Sequence, residues 1–224
     1  MRRLHRFLAI GFVIACAAPV AAQECRQTTE QCRQAEERRH AEELRDYIKA
    51  NYTKYEYLAP MRDGVKLFVA VYAPKDNSKQ YPIWMMRTPY HVAPYGVDNY
   101  RWTLGPSESF ARDGYIFAYC DVRGRGKSEG TFVHVRPFIP NKTGNQVDEA
   151  SDTYDTIEFL LKTIPNHNGR VGISGTSYPG FYATMAALSR HPALKAVSPQ
   201  APVTEWFIGD DFRHNGALFL AHAF

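Results

Sequence analysis

The stretch Val171-Gly172-Ile173-Ser174-Gly175-Thr176-Ser177-Tyr178-Pro179-Gly180-Phe181 decides the fold. Its first residues read as a short apolar strand, its last open a helix, and a turn of small residues joins them with Ser177 at the apex. A strand entering a helix this sharply is the setting of a nucleophile elbow. The turn holds a serine side chain exposed above a sheet, and the new helix aims its N-terminus at developing negative charge. The pattern departs from Gly-x-Ser-x-Gly, because Pro179 takes the second glycine position and Gly180 follows it. Proline is tolerated there, since a first-turn N–H has no intrahelical acceptor anyway. A lone serine at this place also reads as a helix N-cap. Strand, turn and helix together favour the nucleophile.

Outward from the elbow, the pattern alternates strands with helices. On its N-terminal side, Asp148 to Ile164 has apolar positions at helical spacing (Tyr154, Ile157, Leu160, Leu161, Ile164). Before that come buried strands at Tyr115 to Asp121 and Tyr81 to Met86, with a short helix near Glu108 to Arg112. Lys54 to Ala59 and Val65 to Tyr72 are β-rich runs joined through Asp63-Gly64, which predicts an antiparallel hairpin. After the elbow, Tyr178 to Ser189 is a helix and Leu194 to Ser198 a strand. This order predicts a mainly parallel sheet covered on both faces, opening with an antiparallel hairpin. Val122 to Thr143, rich in Gly, Pro and charge, is long enough to be a functional excursion.

Acyl transfer at Ser177 needs two donors at the oxyanion of a tetrahedral intermediate. The N–H of Tyr178, directly after the serine, is the expected first. The second belongs on the loop after an earlier central strand, where Arg87-Thr88-Pro89-Tyr90 places a phenolic O–H at Tyr90. Spacing alone does not single it out among 14 tyrosines.

The run Asp121-Val122-Arg123-Gly124-Arg125-Gly126-Lys127-Ser128-Glu129-Gly130, the Gly175 to Gly180 elbow, the Thr88-Pro89-Tyr90 turn and Gly209-Asp210-Asp211 together carry a resemblance. From Lys54 to Phe224 the chain resembles the X-Pro dipeptidyl-peptidase/cocaine esterase (CocE/NonD) family of α/β-hydrolases, in particular its α-amino-acid ester hydrolases and glutaryl acylase-like members. The resemblance implies an α/β-hydrolase fold and a serine hydrolase that cleaves a small-molecule ester or amide through an acyl-enzyme. Ser177 matches the family nucleophile, Tyr178 its backbone oxyanion donor and Tyr90 the tyrosine that completes the hole. Asp211 matches a carboxylate of an acidic cluster that binds the substrate's α-ammonium group. Asp210-Asp211 also reads as an ordinary acid pair at a helix N-terminus. Gly126-Lys127-Ser128 imitates the end of a P-loop, but the required leading glycine position, 121, is Asp. The run is instead expected to be a structural loop whose arginines pair with acids.

In this fold the triad follows the chain order Ser, Asp or Glu, His. Asp210, Asp211, His214 and His222 formally allow an in-chain triad, but they crowd into what reads as one helical stretch. The resemblance implies that the acid and His lie further downstream, after a helical cap and before a C-terminal β-sandwich. The chain is therefore expected to stop short of them and to be inactive alone. The rival reading is a non-catalytic exported binding or scaffold module of the same fold.

The remaining sequence sets the context. Residues 1–22 read as an export signal: basic Met1 to Arg6, an apolar run from Phe7 to Cys16, and Val20-Ala21-Ala22 before cleavage. An acylated Cys16 is the minor alternative. Residues 23–52 read as a charged helical arm outside the core, through which the chain can self-associate. Residues 53–224 form the partial hydrolase domain. Three Arg in the signal account for most of the formal +4, which falls to about +1 without them, and no basic stripe remains for nucleic acid. An oxidising compartment permits a Cys25–Cys32 bridge, while Cys120 sits in an apolar strand as a buried hydrophobe. No Cys/His spacing fits zinc, and the sequence implies no cofactor or metal.

Overall fold

The computed structural model describes residues 18–210 and 213–219, with side chains from 29 to 209 and from 213 to 219. Two units divide between Glu43 and Leu44. Helix α1 (Ala18–Asn51) begins in the first, where the side chains from 29 to 40 are exposed. There Arg33 bridges Glu30 and Glu37, at 2.6 Å each, the pairing of a solvated helix surface. The export signal, with Cys16, lies outside the described residues up to position 17.

The second unit corrects the reading of residues 23–52 as an arm wholly outside the core. Leu44 and Ile48, one helical turn apart, are buried in a cluster with Phe68, Tyr72 and Phe117. A stripe two side chains wide is enough when a helix contributes only its last turns. The cysteine expectation also changes. Positions 25 and 32 both lie on α1, where seven residues separate them by about 10 Å along the axis. A bridge needs Cα atoms within about 7 Å, and Cys32 is a free, exposed thiol.

The sheet is built from β1 (Tyr52–Pro60), β2 (Lys66–Pro74), β3 (Tyr81–Thr88), β4 (Ile116–Asp121), β5 (His167–Thr176) and β6 (Leu194–Gln200). Their order is β1-β2-β4-β3-β5-β6. β1, β2 and β4 pair antiparallel, while β4, β3, β5 and β6 run parallel. The hairpin turns at Asp63-Gly64, where Gly64 takes a φ of 87°. Three helices flank the strands: α2 (Glu108–Arg112), α3 (Glu149–Thr163) and α4 (Tyr178–Ser189).

Side-chain alternation sorts the sheet into two faces. Leu67, Val69, Val71, Ile116, Ala118 and Cys120 pack with Ile157 and Leu160 of α3 and Ala183 and Ala186 of α4. Their neighbours Phe68, Ala70, Tyr72, Phe117 and Tyr119 face the end of α1 and α2. Cys120 is fully buried, and loss of hydration pushes its thiol up to about 12. An alkylating reagent should therefore modify Cys32 in the native protein and reach Cys120 only after unfolding. Peptide mapping by mass spectrometry checks this, and equal rates at both sites would contradict the burial.

No described helix is long and apolar enough to cross a membrane. Beyond β6 the helical expectation for Asp211 to Phe224 fails among the described residues. Two-residue strands β7 (Gly209–Asp210), β8 (Arg213–His214) and β9 (Ala217–Leu218) form a small antiparallel sheet. Asn215 and Gly216, at φ 47° and 83°, make the turn between β8 and β9.

Candidate active site

The four parallel strands end level with one another. Thr88 of β3 pairs with Asp121 of β4, and Thr176 of β5 with Gln200 of β6. Continuing the β3–β5 register beyond Met85–Ile173 sets Thr88 level with Thr176. The segments that follow, carrying Tyr90, the 121–130 run and Ser177, emerge on one rim, where open α/β sheets bind ligands.

Ser177 occupies the sharp joint between β5 and α4 with φ 61° and ψ −120°, a conformation that costs a non-glycine residue free energy and persists only where its surroundings enforce it. Its N–H donates to the carbonyl of Gln200 at 2.9 Å, and its carbonyl accepts the first bond of α4, from Phe181 at 3.1 Å. Its hydroxyl makes no capping bond, which removes the N-cap role that sequence had left open. Both elbow glycines are required by close approach. A Cβ on Gly175 would overlap the main-chain carbonyl of Pro179, and one on Gly180 would sit 2.7 Å from the Gln200 oxygen. The second glycine is thus displaced by one place because position 180 is the point where the helix crosses the end of β6.

Tyr178 opens α4, so its backbone N–H has no acceptor within the helix. Its ring is buried, and its phenolic oxygen accepts from the Val135 N–H and pairs with His134 Nδ1, both at 2.9 Å. Burial raises the phenol above the ordinary tyrosine value, keeping it neutral. The Tyr90 ring stands edge-on to Tyr178, with centroids 6.1 Å apart, and is 60% exposed. The Tyr90 N–H donates to Thr88 Oγ1 at 3.1 Å, closing a tight turn. The structure therefore brings Ser177, Tyr178 and Tyr90 to one place.

The 121–130 run supports that turn from the side. The buried Asp121 carboxylate accepts from the Val92 N–H (2.9 Å), the Tyr95 hydroxyl (2.8 Å) and the Lys127 N–H (3.0 Å). The expectation that its arginines pair with acids holds for Arg123, which bridges Asp63 and Asp152. It fails for Arg125, which donates from Nε to the Pro89 carbonyl at 2.9 Å and stacks on Phe132. Beneath the turn, fully buried Arg87 ties the end of β3 to α3, through the Glu149 carbonyl (2.7 Å), Thr153 Oγ1 (2.8 Å) and the Glu149 carboxylate (3.0 Å). Burial raises the Glu149 carboxyl above its ordinary value, with Arg87 opposing the rise.

Asp211 and His222 lie outside the described residues, and His214 is exposed on β8. Among the described residues, the histidine that meets the elbow is His134, which the sequence did not single out. It has no periodic or motif signal, since it reaches Tyr178 only through the return of the long loop. A groove of about 650 Å³ lies elsewhere, against the sheet face lined by Trp84, Phe110, Tyr115 and Ser174, and Ser177 does not line it.

Residues 63–224 match the family model for the X-Pro dipeptidyl-peptidase (S15 family). The chain belongs to that family. Among relatives of the S15 chain, cocaine esterase from Rhodococcus sp. (strain MB1 Bresler) is 32% identical over 163 residues, which cover 72% of this chain and 25% of the esterase. An aminopeptidase structure from a marine sediment Thaumarchaeota archaeon aligns with a TM-score of 0.64 at 39% identity, covering 75% of this chain and 28% of that one. An α-amino acid ester hydrolase structure gives 0.65 at 39%, with the same coverage. This S15 chain thus spans about a quarter of the length of these relatives. Its mixed sheet with an antiparallel opening hairpin is the α/β-hydrolase fold.

Proposed function

We propose that this chain carries the nucleophile and the oxyanion hole of an exported serine hydrolase that cleaves ester or amide bonds through an acyl-enzyme. The observation that carries the reading is Ser177 itself, held at φ 61° above the strand ends with its hydroxyl released from capping. In the reaction, Oγ attacks the substrate carbonyl carbon and its proton passes to a general base. The oxyanion accepts from the Tyr178 N–H and the Tyr90 hydroxyl, and collapse expels the alcohol or amine. The leaving group takes the proton from the base. Water then attacks the acyl carbonyl and gives its proton to the base, and collapse of the second intermediate releases the carboxylic acid and reprotonates Ser177 Oγ. Asp211 is the proposed carboxylate for an α-ammonium group on the acyl portion.

Among the described residues no histidine–carboxylate pair is hydrogen-bonded to Ser177. Turnover of an activated ester by the 224-residue chain is therefore expected to be negligible, and a rate that disappears in Ser177→Ala would instead support an in-chain triad through Asp211 and His222. The oxyanion hole still acts without the base, and in serine proteases it and substrate binding together sustain about a thousandfold or more of residual catalysis over water. A fluorophosphonate should accordingly label Ser177 faster than the chain's other serines, and Ser177→Ala should remove that adduct from the mass map. Labelling of Ser177 no faster than the other serines would support the non-catalytic scaffold instead.

A further inference from the structure

We propose that Arg125 is a positioning residue for the oxyanion hole: its Nε–H bond to the Pro89 carbonyl fixes the turn that presents the Tyr90 hydroxyl. The inference rests on the reading of Tyr90 as an oxyanion donor and adds the group that holds it in place.

Tyr90 needs such support. It is 60% exposed, and its N–H bond to Thr88 Oγ1 is local to the turn. A phenol on an exposed turn points in many directions, whereas a donor stabilises an oxyanion only from a narrow range of distance and angle. Two contacts from the 121–130 run bracket the residue. Arg125 holds the carbonyl immediately before it, at 2.9 Å, and Asp121 holds the amide two residues after it, also at 2.9 Å.

Arg125 is itself aimed by its surroundings. Its guanidinium lies 5.1 Å from the Phe132 ring centroid, and its backbone N–H donates to the Val122 carbonyl at 3.0 Å. Gly124, at φ 71°, lets the Phe132 backbone approach so closely that any Cβ there would overlap it. Of the run's basic side chains, Arg123 is turned to two acids and Lys127 to the Phe68 and Tyr95 rings, whereas Arg125 reaches the Tyr90 turn. A charge-assisted bond to a carbonyl is about twice as strong as a neutral one, which suits a contact that must order an exposed turn.

The test compares four forms of the full chain: unchanged, Arg125→Ala, Tyr90→Phe and the double variant. It reads the fluorophosphonate rate at Ser177 and amide hydrogen exchange at Tyr90 and Val92. Loss of one oxyanion donor costs about a hundredfold to a thousandfold in serine proteases. Arg125→Ala should therefore slow labelling by at least about tenfold, a part of the loss given by Tyr90→Phe. The double variant should be no slower than Tyr90→Phe, because the arginine acts through the tyrosine. Exchange at Tyr90 and Val92 should quicken in Arg125→Ala. Additive losses in the double variant, or unchanged exchange, would overturn the proposal. If the unchanged chain shows no preferred labelling of Ser177, the oxyanion reading fails and the catalytic role of Arg125 with it. The exchange rates then decide separately whether Arg125 orders the turn.

Discussion

Replacing Arg123 with methionine is expected to lower the folding free energy by about 3–5 kcal/mol, the range for removing one partner of a buried ion pair. The Arg123 side chain is 4% exposed and lies between two carboxylates. Nη1 and Nη2 donate to Asp63 in the β1–β2 turn at 2.7 and 3.2 Å, and Nε and Nη2 to Asp152 of α3 at 3.0 and 2.7 Å. Methionine fills much of the volume but leaves the fully buried Asp152 carboxylate with the more distant Arg87, at 3.9 Å, as its nearest cation among the described residues. Exposed Arg33 of α1 is the control, since solvent-screened surface pairs contribute little and Arg33→Ala should barely move the transition. Guanidinium unfolding of the two variants measures both. A loss below about 1 kcal/mol for Arg123→Met would mean that the network behaves as solvent-screened surface pairs do.

The same network sets an acid limit. Burial alone would raise the Asp63 carboxyl, but the Arg123 guanidinium outweighs it and holds the group below its usual range. Because the folded value is depressed, the stabilisation is complete above the unfolded carboxylate value of about 3.9. It is lost as pH falls through the lower folded value, where the unfolded chain gains its proton first. The difference between Arg123→Met and the unchanged protein should therefore narrow below about pH 4.

What could be read from sequence follows how local each signal is. The elbow was legible because strand, turn and helix are contiguous, and so was the hairpin at Asp63-Gly64. The order β4-β3-β5 was not, because strands that pair across a crossover leave no mark on the residues between them. Apolar residues from Ala217 to Phe219 fit helical spacing as well as a strand. There Asn215-Gly216, among the strongest short hairpin signals, makes the turn and overrides the helical spacing. His134 and Arg125 meet the elbow and the Tyr90 turn from a loop without periodicity, so only coordinates place them. The resemblance supplied the Tyr90 assignment, and the shared rim and the contact with Tyr178 give it a physical setting.

Gly175→Ala is expected to be the most damaging single-methyl change at the elbow. The added Cβ would overlap the carbonyl carbon and oxygen of Pro179 and come within 2.8 Å of the Pro179 ring. Two of those three atoms are main chain, so no rotamer change relieves the contact, and the first turn of α4 has to move off β5. That turn has little freedom, because Tyr182, Ala183 and Ala186 on the same helix are fully buried and a close-packed interior resists displacement. Overpacking of this kind costs about 1–3 kcal/mol, and a main-chain clash belongs at the upper end. The shift would also carry the Tyr178 N–H away from the proposed oxyanion position and let Ser177 relax from its strained φ. Labelling of Ser177 by a fluorophosphonate should then fall to the level of the other serines even where the variant remains folded. Gly172→Ala, three residues back on β5, separates this from a general intolerance of alanine in the strand. Its Cβ would meet Ala196 at 3.7 Å, an ordinary contact, so both the melting temperature and the labelling rate should hold or rise slightly. If Gly175→Ala matched Gly172→Ala in both measurements, the close crossing of β5 and α4 would not be what holds Ser177 in place.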